Sequence, residues 1–465
     1  MINILHLLFR LISHPLKVAM QKLFYVYLLI TIASSLVAKA DSLPGQFTLT
    51  RDSDREWTAS YCFDIAVNAF EFERPMSGNM RQDYWQVTND LFELQYEDIN
   101  QESAAIIQRK DGAVFRCTSI SMQTYTDLPE KNYLAFSTFS DGGVTVYTGY
   151  FSGSVKINSN WQKTELTAQY VPLTGNNILA RDIHSLDPQY IYFGPQKSVE
   201  RDGSITVIDP AIPSTAREMI LSTMPQVNIE IGTLFGAVQS TPFIVLMAGG
   251  ELQSVSGISM KAGVQKNQVA YTLKGKGIIK IANKNPSWFA KHAAHEVIHL
   301  WQGEVWNNLG EDHPRMHEGS ADALAYEFMH RRGFYTEEQY QKVWQKAESK
   351  CTALLEKSSI HEGPSNGNFD IVYQCGAIVN RLAGALVNPS NPGQGIWTFW
   401  GRMAERQKNN QNSSESEQLF FEALSSFDVK PDKQTALQRF LERKPEDPAS
   451  ALGTLKQALG ISAAN

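Results

Sequence analysis

The sequence predicts an α+β protein, a β-rich N-terminal region followed by a mostly helical one that carries a small sheet of its own. Three observations lead there. Between residues 41 and about 205, short runs rich in β-branched and aromatic residues alternate with turn signals, at 57–67, 113–123, 133–139, 144–151 and 165–170. The segment Ile208-Asp209-Pro210-Ala211-Ile212-Pro213 then marks a change of character. From Asn285 onward the pattern is mainly helical, with Asn285 expected as an N-cap and Pro286 in the first turn.

Taken in order, residues 1–40 hold four basic residues (Arg10, Lys17, Lys22, Lys39) and no acidic one. Lys22 precedes an apolar run at 23–37, and Ala38-Lys39-Ala40 follows it, which is the layout of a secretory signal peptide. Met20 gives such a leader a normal size and is the expected true start. An uncleaved membrane anchor is the alternative, but the run is shorter than the roughly 20 apolar residues a span needs. The expectation is therefore export to a periplasmic or extracellular compartment, with no transmembrane segment after cleavage. Removing the leader leaves 38 basic against 48 acidic residues, a net charge of −10. A nucleic-acid binder needs a basic face to neutralise phosphates, so that class is excluded.

The expected units are a β-rich domain at 41–205, a catalytic domain at 206–390 and a short helical region at 391–465. Asp141-Gly142-Gly143 between two strand-like runs predicts a hairpin. Past the Pro-bearing segment we expect a helical stretch at 214–223 and strands near 227–235, 242–248 and 269–273. Residues 407–418 read as a polar exposed loop. Four cysteines allow three pairings. Their two-and-two distribution favours Cys62–Cys117 and Cys351–Cys375 in an oxidising compartment.

The chemistry concentrates in one place. Six histidines lie between 292 and 330, and among them stands His295-Glu296-Val297-Ile298-His299. Four residues along a helix bring the two imidazoles to within about 40° of each other around the axis, so both leave from one face and can share a zinc ion. Glu296 projects beside them, placed to take a proton from water rather than to bind metal. Further on comes His317-Glu318-Gly319-Ser320-Ala321-Asp322, with 18 residues between His299 and Glu318. That interval lets one helix end and a second pack back, so that Glu318 supplies a third ligand and leaves the fourth position open, as a catalytic zinc site requires. Asp322, one helical turn further, is placed to hold a histidine ring by its free N–H; a solvated helix carboxylate is the plainer alternative. His292, His313, His317 and His330 read as surface or packing residues, although His317 lies close enough to reach the cleft.

His295-Glu296-x-x-His299, 18 residues and Glu318-Gly319-x-Ala321 together resemble the signature of the aminopeptidase N family of gluzincins, which includes leukotriene A hydrolase. Val372-Tyr373-Gln374-Cys375-Gly376-Ala377 resembles that family's Tyr-Glu-Lys-Gly segment. The resemblance implies a thermolysin-like catalytic domain with one Zn2+ per chain, a peptide or protein substrate, and Tyr373 as donor to the tetrahedral oxyanion. A phenol opposite zinc stabilises charge that develops only in the transition state. The family's edge strand carries Gly-x-Met-Glu-Asn, whose glutamate grips the substrate's amino terminus. Here the matching stretch is expected at Gly257-Ile258-Ser259-Met260-Lys261, with Gly257, Met260 and Lys261 as substrate-binding positions and lysine in place of the acid. The reading is a zinc metallopeptidase. A strict aminopeptidase with another amine anchor, or a silent relative that binds peptides, are the alternatives.

Overall fold

The computed structural model describes residues 42–77, 80–99, 102–126, 133–236, 243–306, 309, 313–409 and 416–461. Residues 1–40, where a leader is expected, lie outside them. Among the described residues no helix is long and apolar enough to cross a membrane.

The N-terminal region is built on a ten-stranded sheet. Strand Ser42–Arg51 runs through its middle, parallel to Asn160–Val171 and antiparallel to Glu56–Val67. In Ser42–Arg51 every second residue is buried, including Phe47 and Leu49, so one face of the strand goes to the core. That core is largely aromatic: Phe47, Trp57, Tyr61, Phe70 and Phe193 pack edge-on or tilted, and Trp85 stacks on Phe151. A four-stranded sheet, Asn177–Leu179, Tyr190–Gly194, Val144–Tyr147 and Phe136–Thr138, covers it. The last two strands form the expected hairpin, with Gly142 at φ +89°, a conformation that favours glycine. Arg51 reaches from the central strand to the carbonyls of Gly142 (2.8 Å) and Phe193 (3.2 Å), satisfying a buried guanidinium. A disulfide joins Cys62 to Cys117 across neighbouring strands.

A five-stranded sheet forms the wall between the two halves, in the order Val199–Arg201, Ser204–Ile208, Phe243–Glu251, Gln268–Lys274, Ser259–Gln265. Its three middle strands are parallel and Ser259–Gln265 is an antiparallel edge. Alternation serves both cores: Ile244, Leu246 and Ala270 face the aromatic one, whereas Val245, Met247, Val269 and Tyr271 face the helices. The boundary expected at 205 falls inside a strand of this wall, because the wall draws on residues from both sides of the Pro-bearing segment. The helices beyond the wall, among the described residues, are α1 (Ser214–Phe235), α2 (Lys276–Lys284), α3 (Ser287–Val305), α4 (Pro314–Arg331), α5 (Glu337–Leu355), α6 (Asp370–Val387), α7 (Pro392–Asn409), α8 (Ser416–Ser425), α9 (Pro431–Glu442) and α10 (Pro448–Leu459). One apolar core runs through all of them, so the C-terminal helices share the core of the helices before them.

Three local expectations are corrected. Residues 227–235 continue α1 instead of forming a strand. Their β-branched residues imitate a strand, but Ile220, Met224, Val227, Ile231 and Phe235 are buried at helical spacing, and packing outweighs Pro225 within the helix. Asn285 is not the N-cap of α3; Pro286 holds that position, and Asn285 Oδ1 accepts from Ser287 Oγ at 2.7 Å. The polar stretch begins later than residue 407, because α7 continues to Asn409 and α8 starts at Ser416.

Candidate zinc centre

Helix α3 carries His295, Glu296 and His299, and α4 crosses it with Glu318 in its second turn. Helix α6 brings Tyr373 to the same place by packing on α4 at unusually short range. A Cβ on Gly319 would lie 2.4 Å from the carbonyl carbon of Gly376, and one on Gly376 would lie 2.6 Å from the Arg315 carbonyl oxygen. Glycine at both positions is therefore a condition for Glu318 and Tyr373 to face one cleft. A disulfide from Cys351 on α5 to Cys375 ties down the turn of α6 that holds the tyrosine.

His295 Nε2, His299 Nε2 and Glu318 Oε2 converge. The two nitrogens are 2.9 Å apart, and the carboxylate oxygen is 3.2 and 3.1 Å from them. Ligand atoms about 2.1 Å from a tetrahedral ion lie about 3.4 Å from each other, so the cluster is close to the size zinc needs. The far side of each ring decides what these nitrogens present. His299 Nδ1 lies 2.7 Å from Gln302 Oε1, and the Gln302 amide is oriented by donating to Ser320 Oγ (2.7 Å) and the His317 carbonyl (3.2 Å). His295 Nδ1 lies 2.9 Å from Asp322 Oδ1. Asp322 is in turn held by Lys291 Nζ and by Tyr326 Oη at 3.3 Å. His299 Nδ1 is thus placed to donate, His295 Nδ1 faces the Asp322 carboxylate, and the two Nε2 atoms point at each other and at a carboxylate. Three acceptors facing inward at this range can share a cation, and two imidazoles with one carboxylate are a zinc donor set. The residues fit the metal.

The electrostatics agree. Burial opposes ionisation of Glu318, but His299, His295 and His317 outweigh it and hold the carboxyl well below its usual range. Burial is likewise outweighed at Asp322 by Lys291 and His295, so it stays ionised. At His295 burial pulls down while Asp322 and Glu318 push the ring up to about 10, so without a metal this site holds a proton. Burial raises Glu296, with the two histidines partly offsetting it, as suits a carboxylate meant to take up a proton. Burial and the charges of Glu318, Glu296 and Asp322 push the Tyr373 phenol well above its usual range, keeping it a donor.

These groups open on a cleft of about 600 Å3 lined by His295, Glu296, His299, His317, Glu318 and Tyr373 on one side and by Ala262–Lys266 on the other, with Tyr133 from the N-terminal region closing it. Gly257, Met260 and Lys261 are not among the lining residues. Gly257 instead sits at φ +92° with its carbonyl accepting from Gly277 N at the start of α2, so the strand begins later than expected. The part that lines the cleft is Ala262-Gly263-Val264-Gln265-Lys266, which also carries a lysine. His317 is more than packing. Its ring stacks on His299 (centroids 3.9 Å apart) and lines the cleft, and burial with the nearby His299 depresses it to about 4, leaving it neutral. Gln302, Lys291 and Tyr326 escaped the sequence reading. Lys291 stands four residues before His295 and Gln302 three after His299, spacings that put them on the same helix face as the ligands they serve.

The whole architecture has solved counterparts. An aminopeptidase N family protein from Idiomarina loihiensis matches with a TM-score of 0.57 at 12% identity, over 88% of this chain and 78% of that one. Native yeast LTA4 hydrolase matches with a TM-score of 0.51 at 12% identity, over 89% and 70%. The fold is that of the aminopeptidase N gluzincins, as the motifs led us to expect. No family model matches the sequence, and no curated protein sequence does.

Proposed function

We propose that this chain is an exported zinc metallopeptidase. The observation that carries the reading is the convergence of His295, His299 and Glu318 within 4.8 Å of one another on a cleft that Glu296 and Tyr373 also line. Zinc, when bound, supplies acidification of water and polarisation of a carbonyl. His295, His299 and Glu318 hold it; Asp322 and Gln302 fix the two rings so that Nε2 is the ligating atom. Glu296 takes the proton of the attacking water and passes it to the leaving amine. Tyr373 donates its phenolic hydrogen to the oxygen that becomes negative. Aminopeptidase N family proteins and yeast LTA4 hydrolase share the fold, which supports a peptide substrate. A digest of a peptide library tests the reading: cleavage should stop with a chelator and return with zinc. Glu296→Gln should keep stoichiometric zinc and lose roughly three orders of magnitude in rate. A chelator-resistant digest, or a Glu296→Gln variant near the wild-type rate, overturns it.

A further inference from the structure

Strand Ser259–Gln265 is the last in its sheet and pairs on one side only, with Gln268–Lys274. Its cleft-facing end, Ala262 to Gln265, ends at Lys266, beside the turn at Asn267 (φ +56°). Lys266 is exposed and is the one lysine or arginine among the described residues that line the cleft. No carboxylate pairs with its ammonium among the described residues. Apart from the histidines of the centre, the other titratable acids and bases that line the cleft are carboxylates and Tyr133 and Tyr373. Glu296 and Glu318 belong to the centre, and Glu304 stands two helical turns beyond Glu296 in the last turn of α3. An extended peptide laid on this free edge passes the catalytic groups and brings one of its ends toward Lys266.

We propose that Lys266 makes this cleft select peptides that present a carboxylate at that end and reject those that present a free amino group there. The proposal rests on the peptidase reading. Its sign does not depend on strand direction. An antiparallel peptide brings its amino-terminal side to Lys266, where a free ammonium is repelled and an acidic or acylated end is accepted. A parallel peptide brings its carboxyl side, where a free carboxylate is attracted and an amide is not. Because Lys266 is exposed, the preference should be modest, about fivefold, and screened by salt.

The test uses one peptide sequence with a free, acetylated or succinylated amino terminus, each with a carboxy-terminal acid or amide. Each is assayed with zinc-loaded wild type, Lys266→Gln and Lys266→Glu at low and high salt. In wild type kcat/KM should rank succinyl above acetyl above free amine, or acid above amide, by about fivefold between extremes. Lys266→Gln should flatten the ranking, Lys266→Glu should reverse it, and high salt should compress it. Wild-type rates within twofold across all six peptides, or an unchanged ranking in Lys266→Glu, overturn the proposal. If zinc-loaded wild type cleaves none of the six, the peptidase reading fails separately. Binding of the same peptides to zinc-loaded Glu296→Gln, followed by fluorescence anisotropy, then decides: the same ranking supports Lys266, and equal or absent binding overturns it.

Discussion

His295 and His299 aim at the same point, yet they are supported by unlike partners. Behind His295 stands an ionised Asp322 with Lys291 as counter-charge and Tyr326 as third donor. Behind His299 stands the neutral amide of Gln302, steered by Ser320 and a backbone carbonyl. Both arrangements fix the tautomer. Only the first also adds negative charge, which makes its imidazole the more basic ligand. The charged support carries a liability the neutral one lacks, since removing one partner leaves the other as a poorly solvated charge.

The largest effect should come from breaking the charged side. Asp322→Asn should weaken zinc binding about 100-fold in chelator competition, and should destabilise the protein by about 3 kcal/mol because Lys291 loses its partner. Adding Lys291→Met to that variant should return most of the stability while leaving zinc affinity low. Thermal melts of the two chains decide this, and a double variant no more stable than the single one would remove the counter-charge argument. Gln302→Leu should cost less, about tenfold in zinc affinity, with a loss independent of salt. If the two substitutions weaken zinc equally, the distinction between ionised and neutral support falls.

A smaller effect sharpens the comparison through pH. With zinc removed, His295 titrates near 10 against about 6.5 in an unfolded chain. A raised value means that its contribution to stability is complete below about 6.5 and is lost as pH rises toward 10. The melting temperature of the chelated protein should therefore fall across that window, and Asp322→Asn should flatten the slope. A chelated wild type equally stable at pH 7 and pH 10 would contradict the charge assignment around His295.

What the sequence disclosed follows the same division. The convergence of His295, His299 and Glu318 beside Glu296 was legible because helix geometry converts a four-residue spacing into a shared face, and the hairpin at Asp141–Gly143 because its turn chemistry is local. Asp322 was legible for the same reason, one turn beyond Glu318. Lys291 and Gln302 lie at equally regular spacings but were passed over, since nothing local says that a lysine or a glutamine faces inward. The cleft-lining part of the edge strand lies further along than the expected stretch, because Gly257 matches as a residue type while it closes a turn onto α2. Residues 227–235 read as a strand because side-chain branching is visible in sequence, whereas the core that selects a helix there is not.

The most direct measurement is the metal content of purified wild-type protein, compared with Glu318→Ala under identical zinc supply. About one zinc per wild-type chain is expected, with a large loss in the variant and folding retained. A wild-type protein that binds no stoichiometric metal, or a Glu318→Ala variant that holds zinc as tightly as wild type, would contradict it.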